Sequence, residues 1–166
     1  ALAQHGAAEG RGARREVTLP GGRRVTLIDE SYNANPVSMA AAIALLGSAK
    51  PRGKGRRIAA LGEMLELGPQ GPALHAGLAE ALVAAKTDRL YVAGRLMSHL
   101  WDAVPEAMRA RAADAASSLV GPLLGDLVDG DIVMVKGSNA SRISEIARAL
   151  TTAEDKPPAA KAAMQQ

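Results

Sequence analysis

The sequence predicts an α/β fold, a three-layer sandwich built on a mostly parallel sheet of about six strands. From Arg24 onward, short apolar runs alternate with Ala- and Leu-rich segments of helical period, the rhythm of strand–helix units. Each run is bounded by Gly or a charged residue, as strands buried on both faces are. Aromatics make up 2% of the chain and Phe is absent, so the core is assembled from Ala, Leu, Val, Ile and Met, which suits helices lying close on a sheet. At 166 residues and 48% hydrophobic content, the chain fits one domain with room for such a core.

Taken in order, Val17 to Leu19 reads as the first arm of a hairpin turned at Pro20-Gly21-Gly22. The runs Val25–Ile28, Ile58–Leu61, Leu90–Ala93 and Ile132–Val135 read as buried strands, with a weaker candidate at Arg109–Ala112. Helical period covers Val37–Ala49, Pro72–Lys86, Arg95–Ala103, Ala113–Leu127 and Ser141–Leu150. Pro72 suits a first helical turn, and Ser141 is read as an N-cap. Residues 1–15 have nothing to pack against and read as the end of another domain plus a Gly-rich hinge. Residues 16–152 form the domain, and 153–166, with two prolines and little to bury, read as a disordered tail.

Composition excludes several functions. There is no Cys, hence no disulfide, thiolate metal site or cysteine nucleophile, which fits a cytoplasmic protein. No apolar stretch approaches the roughly 20 residues needed to cross a bilayer, and the first residues lack a secretion pattern, so a soluble protein with no membrane role is expected. The net charge is +3 and the pI about 9.5, yet the basic residues fall in separate groups, and only Lys50 to Arg57 forms a cluster. Gly and Pro interleave that cluster, so it reads as solvated turns. With few rings for base stacking, no nucleic-acid partner is expected.

Three strand ends carry chemistry. In LIDESYNANPVSM, Leu27–Met39, a strand ends in Asp29 and Glu30 and enters a polar loop. Ligands of open parallel sheets bind at the carboxyl ends of strands. Carboxylates there can accept from ribose hydroxyls, and Asn33 and Asn35 can both donate and accept; Asn and Asp are equally turn formers before Pro36. In LGEMLELG, Leu61–Gly68, Glu63 and Glu66 could meet an incoming amine or serve a helix dipole, and Gly62 and Gly68 permit unusual backbone angles. In VMVKGSNASR, Val133–Arg142, a strand delivers Lys136 and Ser138 to a helix start, a natural seat for an anion. It lacks the order of a phosphate-binding P-loop. His75 and Trp101 read as structural, Trp101 in the core or at an interdomain surface.

The run IDESYNANPVSM, then LGEMLELG followed by His75, then VKGSNASR, resembles the C-terminal domain of the MurF group of the Mur ligase family. The resemblance extends from the Gly10-Arg11-Gly12 hinge to about Leu150. It implies a Rossmann-like domain that closes over the active site of a three-domain ligase, incomplete and inactive alone. The implied reaction joins D-alanyl-D-alanine to UDP-N-acetylmuramoyl-tripeptide through an acyl phosphate made with ATP, in peptidoglycan precursor synthesis. Implied partners are ATP, both substrates and the enzyme's own central and N-terminal domains, in a monomer; Mg2+ is implied too, held mainly by the central domain.

Carried over, Arg11 contacts the ATP phosphates, Asp29 or Glu30 lies near the ribose, and Tyr32, Asn33 and Asn35 lie along adenine and the dipeptide. Glu63, Met64, Lys136, Ser138 and Arg142 line the D-alanyl-D-alanine side, with Lys136 or Arg142 facing its carboxylate. The family's KGSR is lengthened here, where Asn139-Ala140-Ser141 separates Ser138 from Arg142. The alternative is a free-standing nucleotide- or anion-binding regulatory module.

Overall fold

The computed structural model describes residues 13–154. The strands are β1 (Ala13–Thr18), β2 (Arg24–Glu30), β3 (Arg57–Gly62), β4 (Arg89–Ala93), β5 (Arg109–Ala113) and β6 (Ile132–Lys136). They form one sheet in the order β1-β2-β6-β3-β4-β5. Only the β1–β2 hairpin is antiparallel. Around them lie α1 (Pro36–Ser48), α2 (Gly71–Ala76), α3 (Leu78–Ala84), α4 (Met97–Ala103), α5 (Ser117–Asp126) and α6 (Ser144–Glu154).

Strand alternation divides the core in two. On one face Ile132 and Met134 join Ile28, Leu61 and Val92 beneath Ile43 of α1, Leu82 of α3 and Leu100 of α4. On the other, Val133 and Val135 join Leu27, Ile58 and Tyr91 beneath Leu123 of α5 and Ile146 of α6. Crossovers from β2 to β3, β4 and β5 run in one direction and leave their helices on one face. The return from edge strand β5 to β6 reverses direction and places α5 on the opposite face, as constant crossover handedness requires. The expected three-layer α/β sandwich is therefore present, with six strands.

Several boundaries differ from expectation. The segment Pro72–Lys86 forms two helices, parted at Gly77, a residue of low helix propensity. β1 starts at Ala13, so Arg14 and Arg15 belong to the sheet, while Arg11 and its hinge lie outside the described residues. Ala113 closes β5, and α5 begins only at Ser117. Ser141 does not cap α6, which begins at Ser144; its Oγ donates to Ser138 O at 2.6 Å within a 3-10 turn. α6 runs to Glu154, past the expected start of the tail at 153.

The arginines at the end of the sheet opposite these loops cap helix C-termini, where carbonyls lack partners and the dipole favours a cation. Arg23 Nη1 donates to Leu124 O and Leu127 O of α5 at 2.9 and 2.8 Å. Arg56 Nη2 donates to Asp126 O at 2.7 Å and Arg57 Nε to Ala49 O, beyond α1, at 3.0 Å. Arg109 Nε donates to Trp101 O of α4 at 2.8 Å, with its guanidinium 5.9 Å from the Trp101 ring. Trp101 itself is partly buried against the core.

Candidate functional site

β2, β6 and β3 are neighbours running in parallel, and their last residues are level: Glu30 pairs with Lys136, and Lys136 with Leu61. Loops 31–35, 63–67 and 137–143 therefore leave side by side. Cross-links join them, since Ser138 N donates to Glu63 O at 3.1 Å and Lys136 Nζ to Asn33 O at 2.7 Å. Tyr32, Glu63 and Ser138 thus share one rim.

Pleating separates the two acids of the first loop. Asp29 is 9% exposed, and its Oδ1 accepts from the backbone N–H and the hydroxyl of Ser31, which fixes the turn. Glu30 points to the opposite face of the sheet, is partly exposed, and lies beside Lys136. Tyr32, half exposed, and Asn33 project outward; Asn33 Oδ1 accepts from Ala34 N at 2.8 Å. Asn35 is the N-cap of α1. Its side chain accepts from Ser38 N at 2.8 Å, and Ser38 Oγ accepts from Asn35 N at 3.0 Å, a capping box ahead of Pro36.

The second loop is pinned from within. His75 is fully buried; its Nε2 accepts from Met64 N at 2.9 Å while Nδ1 bonds Gly71 O at 2.6 Å, which requires the tautomer protonated at Nδ1. Its role is structural, as expected. Met64 is 0% exposed and its side chain packs in the core, so the expected ligand contact reduces to its backbone. Glu63 lies over Gly94, where an added Cβ would come within 2.7 Å of its Cδ, and its Oε2 accepts from Leu96 N at 3.1 Å. Gly68 does have a positive φ of 63°, but the unusual angle between the two glycines belongs to Glu66, at 62°. Gly62 serves close packing instead: a Cβ there would meet Ser141 Oγ at 2.4 Å.

In the third loop Lys136 is 5% exposed, and its ammonium donates to Asn33 O and, at 3.4 Å, to Glu30 O. Burial lowers its pKa below the usual lysine value, with the charge of Glu30 opposing. Ser138 is buried and accepts from Ser141 N at 3.1 Å. Arg142 takes a left-handed backbone angle, φ 58°, and its exposed guanidinium reaches Glu145 at 3.8 Å. Arg142 lies at the edge of a cavity of about 370 Å³ lined also by Glu63, Gly94, Asp114, Ser117 and Ser141.

Residues 14–139 match the family model described as Mur ligase, glutamate ligase domain. The chain belongs to the Mur ligase family. Among relatives, the UDP-N-acetylmuramoyl-tripeptide--D-alanyl-D-alanine ligase of Mycobacterium tuberculosis is 34% identical over 159 residues, covering 82% of this chain and 30% of its own length. The Escherichia coli enzyme of that name is 33% identical over 126 residues, covering 75% and 26%. The chain thus spans under a third of the curated relatives it matches. The crystal structure of the MurF ligase from Thermotoga maritima in complex with ADP superposes with a TM-score of 0.70 at 24% identity, over 90% of this chain and 32% of that one. A MurF structure from Acinetobacter baumannii gives 0.70 at 21%, over 88% and 30%. Both show the fold.

Sequence reasoning missed Asp114 and Ser117 in this Mur ligase domain. They follow β5, the weakest of the strand signals, and the rule that carboxyl ends carry the site would have found them had that strand been weighted. Among the described residues no group of three or more His, Asp or Glu is arranged to hold a metal. No described helix is long and apolar enough to cross a membrane.

Proposed function

We propose that this domain is the closing wall of an ATP-dependent ligase that joins D-alanyl-D-alanine to UDP-N-acetylmuramoyl-tripeptide. The supporting observation is the level ending of β2, β6 and β3, which brings Tyr32, Asn33, Glu63 and Ser138 to one rim. In this reading the tripeptide carboxylate takes the γ-phosphoryl group of ATP, the dipeptide amine attacks the acyl phosphate, and phosphate leaves. The groups that bind the UDP-sugar and Mg2+ belong to polypeptide that the relatives have and this chain does not span.

This chain's contribution is positional. Tyr32 and Asn33 flank the nucleotide, with Glu30, the more open acid, toward the ribose; Arg11, from the hinge, meets the phosphates. Glu63, held over Gly94 by the Leu96 N–H, faces the amine, and Ser138 and Arg142 line the dipeptide side. Isolated, the domain has one wall of the cleft and does not catalyse.

The test joins the domain to the remaining domains of its parent ligase and measures ADP release dependent on D-alanyl-D-alanine. Tyr32→Ala should raise the KM for ATP about tenfold, the scale of a lost stacking contact. Glu63→Gln should lower kcat/KM for the dipeptide by about tenfold or more, as loss of a charged hydrogen bond does. Wild-type kinetics in both variants would refute the assignment.

A further inference from the structure

The resemblance places Lys136 against the substrate, but its geometry gives its ammonium another occupation. Lys136 is the last residue of the central strand β6, between β2 and β3, and its side chain lies on the α1 face of the sheet, the face of Met134. There it runs toward the loop that leads into α1 and ends on two main-chain carbonyls, Asn33 O within that loop at 2.7 Å and Glu30 O at the end of β2 at 3.4 Å. Lys136 is 5% exposed, and these are part-buried, charge-assisted bonds, stronger than neutral ones. One residue past Gly137, Ser138 N donates to Glu63 O of the neighbouring loop at 3.1 Å. The end of β6 is therefore tied to the loops on both sides, to one by a side chain and to the other by the backbone.

We infer that Lys136 is a positioning residue: it straps loop 31–35 into the shape that presents Tyr32 and Asn33, and through β6 it couples that loop to the Glu63 and Ser138 side of the rim. The strap is a property of this chain; its effect on catalysis rests on the ligase reading above. The Ser31 turn fixes the start of loop 31–35 and the Asn35 cap its end, and between them Asn33 O is held by Lys136.

Two measurements separate the strap from the reading it serves. In the 166-residue chain, Lys136→Met preserves the apolar stem and removes the charge, so amide hydrogen exchange at Tyr32, Asn33 and Ala34 should accelerate about tenfold or more, the scale of one lost charged hydrogen bond. Amides of β3 and β4 should stay protected, which also shows that the variant folds. Lys136→Arg, which retains a cation, should restore part of that protection. Unchanged exchange in the loop overturns the strap whatever the ligase does.

In the parent ligase, Lys136→Met should raise the KM for ATP several-fold and that for D-alanyl-D-alanine less. A rise confined to the dipeptide KM, with loop exchange unaltered, makes Lys136 a direct substrate contact and overturns the inference. Faster loop exchange with both KM values unchanged overturns the catalytic consequence and leaves the ligase reading standing on Tyr32 and Glu63.

Discussion

Tyr91 illustrates how one buried hydroxyl sets a pH limit. Its ring is 2% exposed beneath α5, and its OH donates to Asp126 Oδ2. Burial first, then the bond to Asp126 and that carboxylate's charge, push its pKa far above the usual 10.0. A raised folded value means the native state keeps its proton while the unfolded chain releases one above pH 10. The contribution to stability is therefore intact below that pH and lost as pH rises beyond it. Tyr91→Phe should cost about 1 kcal/mol near neutrality and flatten the alkaline fall in urea midpoints above about pH 10. If the two proteins keep parallel alkaline limbs, the hydroxyl is not the titrating group. At this scale the sequence was legible in type and opaque in partner. His75 reads as structural from its solitude, but its bond to Met64 N spans 11 positions and needs the folded loop to exist. Met64 reads as a rim residue from its motif, although its side chain turns into the core.

At the scale of elements, caps and strand ends decide where loops point. Asn35→Ala removes the side-chain acceptor for Ser38 N and should cost about 1 kcal/mol by chemical denaturation. Because the same cap fixes the end of loop 31–35, that variant in the parent ligase should also weaken ATP binding; a stability loss with an unchanged KM for ATP would separate the cap from the site. Strands were easy to read because apolar runs flanked by Gly and charge admit few alternatives, and β2, β3, β4 and β6 fall within two residues of expectation. The start of α6 was not, because a Ser before a helical period is an N-cap signal and nothing local reveals that residues 139–141 form a tighter turn. Likewise the periodicity of Pro72–Lys86 continues through Gly77, so the break there is invisible to a pattern of apolar spacing.

For the molecule as a whole, the clamp far from the loops matters most. Asp131 is fully buried, binds Arg56 Nη2 at 2.9 Å and accepts from Arg56 N and Val128 N at 2.7 and 2.8 Å, so it joins the starts of β3 and β6 to the end of α5. Asp131→Ala removes one of the two carboxylates that Arg56 binds and leaves two N–H groups without their acceptor, and should lower global stability by about 2 kcal/mol or more. Substrate KM values in the parent ligase should not move at temperatures where the variant remains folded; a large KM change there would mean that this end reaches the rim. The basic cluster that might have signalled a polyanion partner is largely consumed by such bonds to carbonyls and by the Arg52 contact with Glu16 at 3.4 Å.

Near the clamp, Gly55 and Gly130 let two backbones meet so closely that a Cβ on Gly55 would stand 2.1 Å from Gly130 O. With no room there for even a methyl group, an alanine at either position would have to wedge apart the loops that lead into β3 and β6, so this spot admits no side chain at all.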